Sequence, residues 1–219
     1  WINRTPILDM FNLTPFHEKT LFRTLETLGD NIEEIIYEIQ KALLGKYDFE
    51  HTDMNLDWSS LILYGLKSKL GEHGYSRDHR PDKEQITFGL SEIREPINIP
   101  FGLTIQKGNV NDVKHFKYTY DQVKDLAYEE SLFIFDKGGH SKDNVDMILA
   151  DKMKYLTAKK LNKSDDKIIE DFSILESELV DVEDGVFGIK IPYPSRTNYF
   201  YFSKKLQLEQ QLRSYLDPH

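Results

Sequence analysis

The chain has 219 residues, of which 39% are hydrophobic and 12% aromatic, enough for a sizeable core and too many for global disorder. It contains no cysteine, which excludes disulfides, thiolate metal sites and cysteine nucleophiles and suits a reducing, cytoplasmic compartment. A formal net charge of −9, from 37 acidic and 28 basic residues, argues against nucleic-acid binding by bulk charge alone, leaves it to a local basic patch or a basic domain elsewhere in the parent protein, and suits a site that gathers divalent cations. No apolar run reaches membrane-span length and no signal-peptide pattern occurs, so no membrane contact is expected. The sequence opens on Trp1 rather than Met, and we expect it to be a piece of a longer protein.

The first elements read as helices. Thr14-Pro15-Phe16-His17-Glu18 supplies an N-cap, a proline at the first helical position and an acid in the first turn, and Leu21, Leu25 and Leu28 follow at helical spacing. Gly29-Asp30 breaks the run. Ile32, Ile35, Ile36, Ile39 and Leu43 then mark a second amphipathic helix that Gly45 is expected to stop. These elements form a helical segment over residues 1–46.

Residues 47–162 have a different texture. The apolar run 61–64 reads as a strand, and two further strands, in EQITFGLSEI and NIPFGLTIQKGN, pair around a turn near Glu95-Pro96. Asn111-Asp112 caps a helix that places Val113, Phe116, Tyr120 and Val123 on one face. The short apolar strand 132–135 ends in Asp136 and a Gly-Gly turn, Ser141 opens another helix, and residues 154–157 form a fifth strand. Three strands followed by helix, strand, helix, strand predict an α/β domain with a mixed sheet flanked by helices. In residues 163–219 we expect a short charged helix at 165–171, strands at 185–191 and 198–203, and a terminal helix at 204–216.

Two acids stand out by position. Asp57 precedes Trp58-Ser59-Ser60-Leu61, and Asp136 ends the apolar strand. A carboxylate beside a buried strand is costly unless it is paired, hydrogen-bonded or metal-bound. If the first and fourth strands are neighbours, the two converge, and convergent carboxylates suit Mg²⁺, a hard ion that prefers oxygen ligands. The structural alternative is that Asp136 caps its own turn and Asp57 meets a basic partner. Other features are weaker. Gly138-Gly139 lacks a phosphate-binding fingerprint, His73 and His79 lack a third zinc ligand, and Ser59 and Ser60 lack a nucleophile elbow. Tyr199-Phe200-Tyr201-Phe202 has the composition of a base-stacking platform, but alternate members of a strand fit a core better.

Taken together, these segments resemble the catalytic domain of insertion-sequence transposases of the DDE superfamily. Asp57-Trp58-Ser59-Ser60-Leu61 resembles the first-Asp strand and Gly108-Asn109-Val110-Asn111-Asp112 a G-N-x-x-D turn, while Phe135-Asp136-Lys137-Gly138 resembles the second-Asp motif. The most specific match is Gly74-Tyr75-Ser76-Arg77-Asp78-His79-Arg80-Pro81-Asp82, similar to the family's G-Y-S-[RK]-D-H-R-P-D loop. The likeness is close over residues 53–155 and looser beyond. Lys137 and His140 replace commoner family residues, and the Tyr-x-x-Arg-x-x-x-Glu helix with the third acid is not found; Glu209 lacks that setting. Residues 185–203 read like part of the β-rich insertion that precedes the final Glu in one branch of the family.

The resemblance implies an RNase H-like fold with a partial β-rich insertion, and DNA transposition by two-metal phosphodiester chemistry. Asp57 and Asp136 would be catalytic and hold Mg²⁺ or Mn²⁺. Arg77, His79 and Arg80, in a loop expected beside the site, would hold DNA phosphates or position the metal-bound carboxylates. The implied partners are the element ends, target DNA and further copies of the chain. A chain ending before the third acid is expected to be inactive alone, and the alternative is a non-catalytic remnant that folds and binds DNA or itself.

Overall fold

Alternation in Met54-Asn55-Leu56-Asp57-Trp58 turns Met54, Leu56 and Trp58 to one side of a strand, and all three are buried. This strand, β1 (Met54–Ile62), starts earlier than the apolar run suggests, so Asp57 sits within it rather than ahead of it. A computed structural model describes residues 3, 5–65, 68–75, 79–95, 98–160, 162–163, 180–183, 185–193 and 196–203. The chain forms two compact units, Trp1–Lys159 and Lys160–His219.

In the first unit β1 pairs antiparallel with β2 (Gln85–Ile93), and β2 antiparallel with β3 (Ile99–Lys107). On its other edge β1 runs parallel to β4 (Leu132–Phe135), which runs parallel to β5 (Lys154–Thr157). The sheet order is therefore β3-β2-β1-β4-β5. Helix α4 (Asp112–Val123) connects β3 to β4, and α5 (Lys142–Ala150) connects β4 to β5. This is the mixed sheet flanked by helices that the sequence predicts, in an RNase H-like arrangement. Both connecting helices begin at the predicted caps: Asn111 Oδ1 accepts from Lys114 N at 3.0 Å, and Ser141 Oγ from Asn144 N at 3.1 Å.

One face of the sheet carries the core. Trp58, Phe116, Tyr120, Phe133 and Phe135 are buried there, with ring centroids 4.9 Å apart for Phe116–Phe135 and 5.0 Å for Tyr120–Phe133. Each buried aromatic of this kind contributes roughly 1.5–3 kcal/mol relative to exposure. Ile148 of α5 joins the cluster. By alternation Asp57 lies on the opposite face, where exposed Leu61, Leu90, Ile105 and Leu156 also point.

Ahead of the sheet lie α1 (Ile7–Met10), α2 (Glu18–Asp30) and α3 (Ile32–Lys46). Helix α2 starts later than Thr14-Pro15 predicts, with His17 as its N-cap. The reason is tertiary. The Asn3 side chain donates to Phe16 O at 2.7 Å and accepts from Phe16 N at 3.2 Å, occupying both backbone groups of Phe16. Leu43 and Leu44 of α3 pack against the sheet core.

The second unit holds an antiparallel three-stranded sheet of β6 (Val180–Glu183), β7 (Val186–Tyr193) and β8 (Arg196–Ser203), with Ile191 and Phe200 buried. Strands β7 and β8 match the sequence expectation, and β6 extends it. The helices expected at 165–171 and 204–216 lie outside the described residues.

Candidate active site

The register of β1 against β4 builds the site. Met54 pairs with Phe133, Asn55 with Ile134 and Leu56 with Phe135. The next residue after each member of the last pair is an aspartate, Asp57 within β1 and Asp136 just past the end of β4. In-register neighbours on parallel strands point to the same face, and strands lie about 4.8 Å apart. The order of elements therefore brings Asp57 and Asp136 to adjacent positions, both exposed.

Backbone donors orient each carboxylate through one oxygen. Asp57 Oδ1 accepts from Trp58 N at 2.8 Å, and Asp136 Oδ1 from Gly138 N at 2.9 Å and Gly139 N at 3.4 Å. Asp136 thus caps its own turn, as the structural alternative has it. Capping uses Oδ1, and among the described residues neither Oδ2 has a hydrogen-bond partner. Carboxylate oxygens are the hard ligands that Mg²⁺ and Mn²⁺ prefer. Among the described residues no group of three or more His, Cys, Asp or Glu side chains is placed to hold a metal ion.

The polar loop is anchored by close backbone packing. A side chain at Gly108 would strike the carbonyl oxygens of Gln85 and Glu72, and one at Gly74 the carbonyl of Gly108 itself. Gln85 locks this junction, donating Nε2 to Tyr75 O at 2.9 Å and to Gly108 O at 3.0 Å. The two motif glycines therefore let the loop cross the turn that follows β3. Gln85 pairs with Ile62, whereas Asp57 pairs with Leu90. The loop is accordingly rooted about 16 Å further along the sheet than Asp57.

Within the loop, Arg80 donates Nε and Nη2 to the two carboxylate oxygens of Asp82, each at 2.8 Å. These hydrogen bonds hold the Asp82 carboxyl down at about 2. His79 is exposed with φ 56°, a left-handed conformation that suits a tight turn. Arg77 lies outside the described residues.

Two features escape sequence reasoning. A Cβ on Gly138 would lie 2.5 Å from Asp112 Oδ2 and 3.0 Å from Asp136 Oδ1, so the Asp112 carboxylate approaches the Asp136 turn across that glycine. The G-N-V-N-D turn was the available signal. The second feature is a buried polar line from Trp58 through α4, for which His115 and Thr119 on the helix's inward face, four residues apart, were the hint.

No protein-family model matches the sequence, and no curated protein matches it. Among solved structures the chain is similar to a piggyBac transposase, seen by cryo-EM in a synaptic complex with hairpin DNA. The TM-score is 0.34 and the identity 13%, over 76% of this chain and 39% of that one. This chain thus spans well under half the length of that protein.

Proposed function

We propose that this chain carries the two-aspartate part of a phosphodiester-transfer site in an insertion-sequence transposase of the DDE type. The observation that supports the reading is the β1–β4 register, which pairs Leu56 with Phe135, the residues that immediately precede Asp57 and Asp136.

Asp57 and Asp136 would hold Mg²⁺ or Mn²⁺ through their carboxylate oxygens, ions that when bound activate an attacking oxygen and stabilise a leaving one. The protein's part is placement. Trp58 N fixes the Asp57 carboxylate, and the amides of Gly138 and Gly139 fix that of Asp136. In the reaction water attacks phosphorus at the element's end, the bond to the 3′ oxygen breaks, and that oxygen takes a proton to become a 3′-hydroxyl. The hydroxyl then attacks a target phosphodiester and displaces a target 3′ oxygen. Arg77, His79 and Arg80 bind the DNA backbone further along the sheet, where their charge positions a strand without reading its sequence.

The test uses the full-length parent protein, Mn²⁺ and a labelled duplex from the DNA flanking its own coding sequence. Asp57→Asn and Asp136→Asn should each abolish release of a 3′-hydroxyl end while retaining DNA binding. Cleavage that survives either substitution would refute the reading. Binding without cleavage by the unaltered full-length parent would identify a non-catalytic remnant instead.

A further inference from the structure

The inward face of α4 is not uniformly apolar. His115 and Thr119 are both fully buried, and they meet three strands. Trp58 of β1 donates its indole Nε1–H to Thr119 Oγ1 at 3.0 Å. Thr119 Oγ1 lies 2.9 Å from Thr104 Oγ1 of β3, which lies 2.9 Å from His115 Nε2. His115 Nδ1 lies 3.2 Å from Thr87 Oγ1 of β2, which donates to Lys107 O at 3.3 Å.

Thr119 Oγ1 and Thr104 Oγ1 also reach His115 O and Gly89 O, each at 3.4 Å, and among the proton assignments these contacts allow, one runs through every member. Each hydroxyl accepts from the preceding group and donates to the next, and His115 accepts at Nε2 and donates from Nδ1. The line then runs in one direction, from the Trp58 indole to the Lys107 carbonyl. It needs a neutral imidazole, and burial pushes the pKa of His115 down to about 4. Gly89, opposite Trp58 on β2, leaves the room. A Cβ there would lie 2.8 Å from Trp58 Nε1 and 2.9 Å from Thr104 Oγ1, and would also strike Thr119 Oγ1.

The far edge of the same indole touches the other half of the site. A Cβ on Gly139 would lie 2.9 Å from Trp58 Cζ3 and 3.1 Å from Cη2. Trp58 is therefore fixed to α4 at its nitrogen, bonded to Asp57 through its backbone, and pressed on the Asp136 turn by its ring.

We propose that the line Trp58–Thr119–Thr104–His115–Thr87 positions the Asp57 and Asp136 carboxylates relative to one another, with Thr119 as its central positioning residue. The role rests on the phosphodiester-transfer reading of that pair. Ordered support of this kind decides whether a constellation holds its working geometry.

The experiment compares the 219-residue chain with its Thr119→Val and Thr119→Ser variants by ¹⁵N NMR, with Mn²⁺ as the probe. The signals are the Trp58 indole, assigned by Trp58→Phe, and the amides of Gly138 and Gly139. Thr119→Val should shift all three and raise severalfold the Mn²⁺ needed to broaden signals around Asp57 and Asp136. Thr119→Ser, which keeps the hydroxyl, should restore them. If Thr119→Val does not fold, Thr104→Val breaks the line one bond further on and is read by the same signals. A shifted indole with Gly138, Gly139 and the Mn²⁺ dependence unmoved would overturn the proposal. If the unaltered chain shows no Mn²⁺ broadening at Asp57 and Asp136, the transposase reading fails, and the Gly138 and Gly139 shifts still decide the positioning role.

Discussion

Gly89→Ala is the sharpest test of the packing behind the site. The added methyl would sit 2.8 Å from Trp58 Nε1 and 2.9 Å from Thr104 Oγ1, distances that real Cβ atoms do not tolerate. Overpacking a filled core costs about 1–3 kcal/mol. Separating Trp58 Nε1 from Thr119 Oγ1 leaves a buried donor unsatisfied, which costs about 1–3 kcal/mol more. The two act on one contact and overlap, so we expect a loss of roughly 3 kcal/mol, equivalent to about 6–12 °C in melting temperature for a unit of this size. Thermal and urea unfolding followed by circular dichroism measure it. Gly29→Ala in α2 is the control, because a Cβ there meets nothing within 4 Å and alanine favours helix, so stability should hold or rise slightly. A Gly89→Ala loss no larger than about 0.5 kcal/mol would refute the reasoning, since it would mean the Trp58–Thr119 contact is not packed as described.

Two further predictions concern charge. Burial lowers the His115 pKa from 6.5 to about 4, so between those values the unfolded chain takes up a proton that the folded one refuses. Stability should be full above pH 6.5 and fall as pH drops towards 4, by up to about 3 kcal/mol, and unfolding of His115→Gln should lose that share of the slope. For the polar loop, Arg77→Ala with Arg80→Ala should reduce the logarithmic salt dependence of DNA binding by roughly one unit per lost phosphate contact. The Arg80–Asp82 pair offers the competing outcome, a lowered melting temperature with an unchanged salt slope.

The order of elements in the first unit was legible because period and punctuation agreed. Asn111 and Ser141 cap their helices by local hydrogen bonds, which sequence reasoning sees directly. The start of α2 was not legible, because Asn3 captures the backbone of Phe16 from thirteen residues away. The start of β1 was obscured for a different reason. Its first half alternates buried and solvent-facing residues, so the continuous run at 61–64 outweighed the alternation through Asp57. At the site, the two aspartates could be singled out, but their adjacency needed the β1–β4 register, a tertiary fact. The line from Trp58 to Thr87 was hidden more deeply. Its members come from β1, β2, β3 and α4, and no spacing along the chain announces that they meet around the empty side of Gly89.

The measurement closest to the central claim is a Mn²⁺ titration of the chain followed by electron paramagnetic resonance, repeated with Asp57→Asn and Asp136→Asn. The charge removed is the same in both variants, and the sites are exposed, so folding should persist in each. If the β1–β4 register makes one metal site of two carboxylates, each substitution alone removes the same class of bound Mn²⁺, and the double variant loses no more than either single. Mn²⁺ binding that survives both single substitutions, or that falls by separate and additive steps, would contradict a shared site.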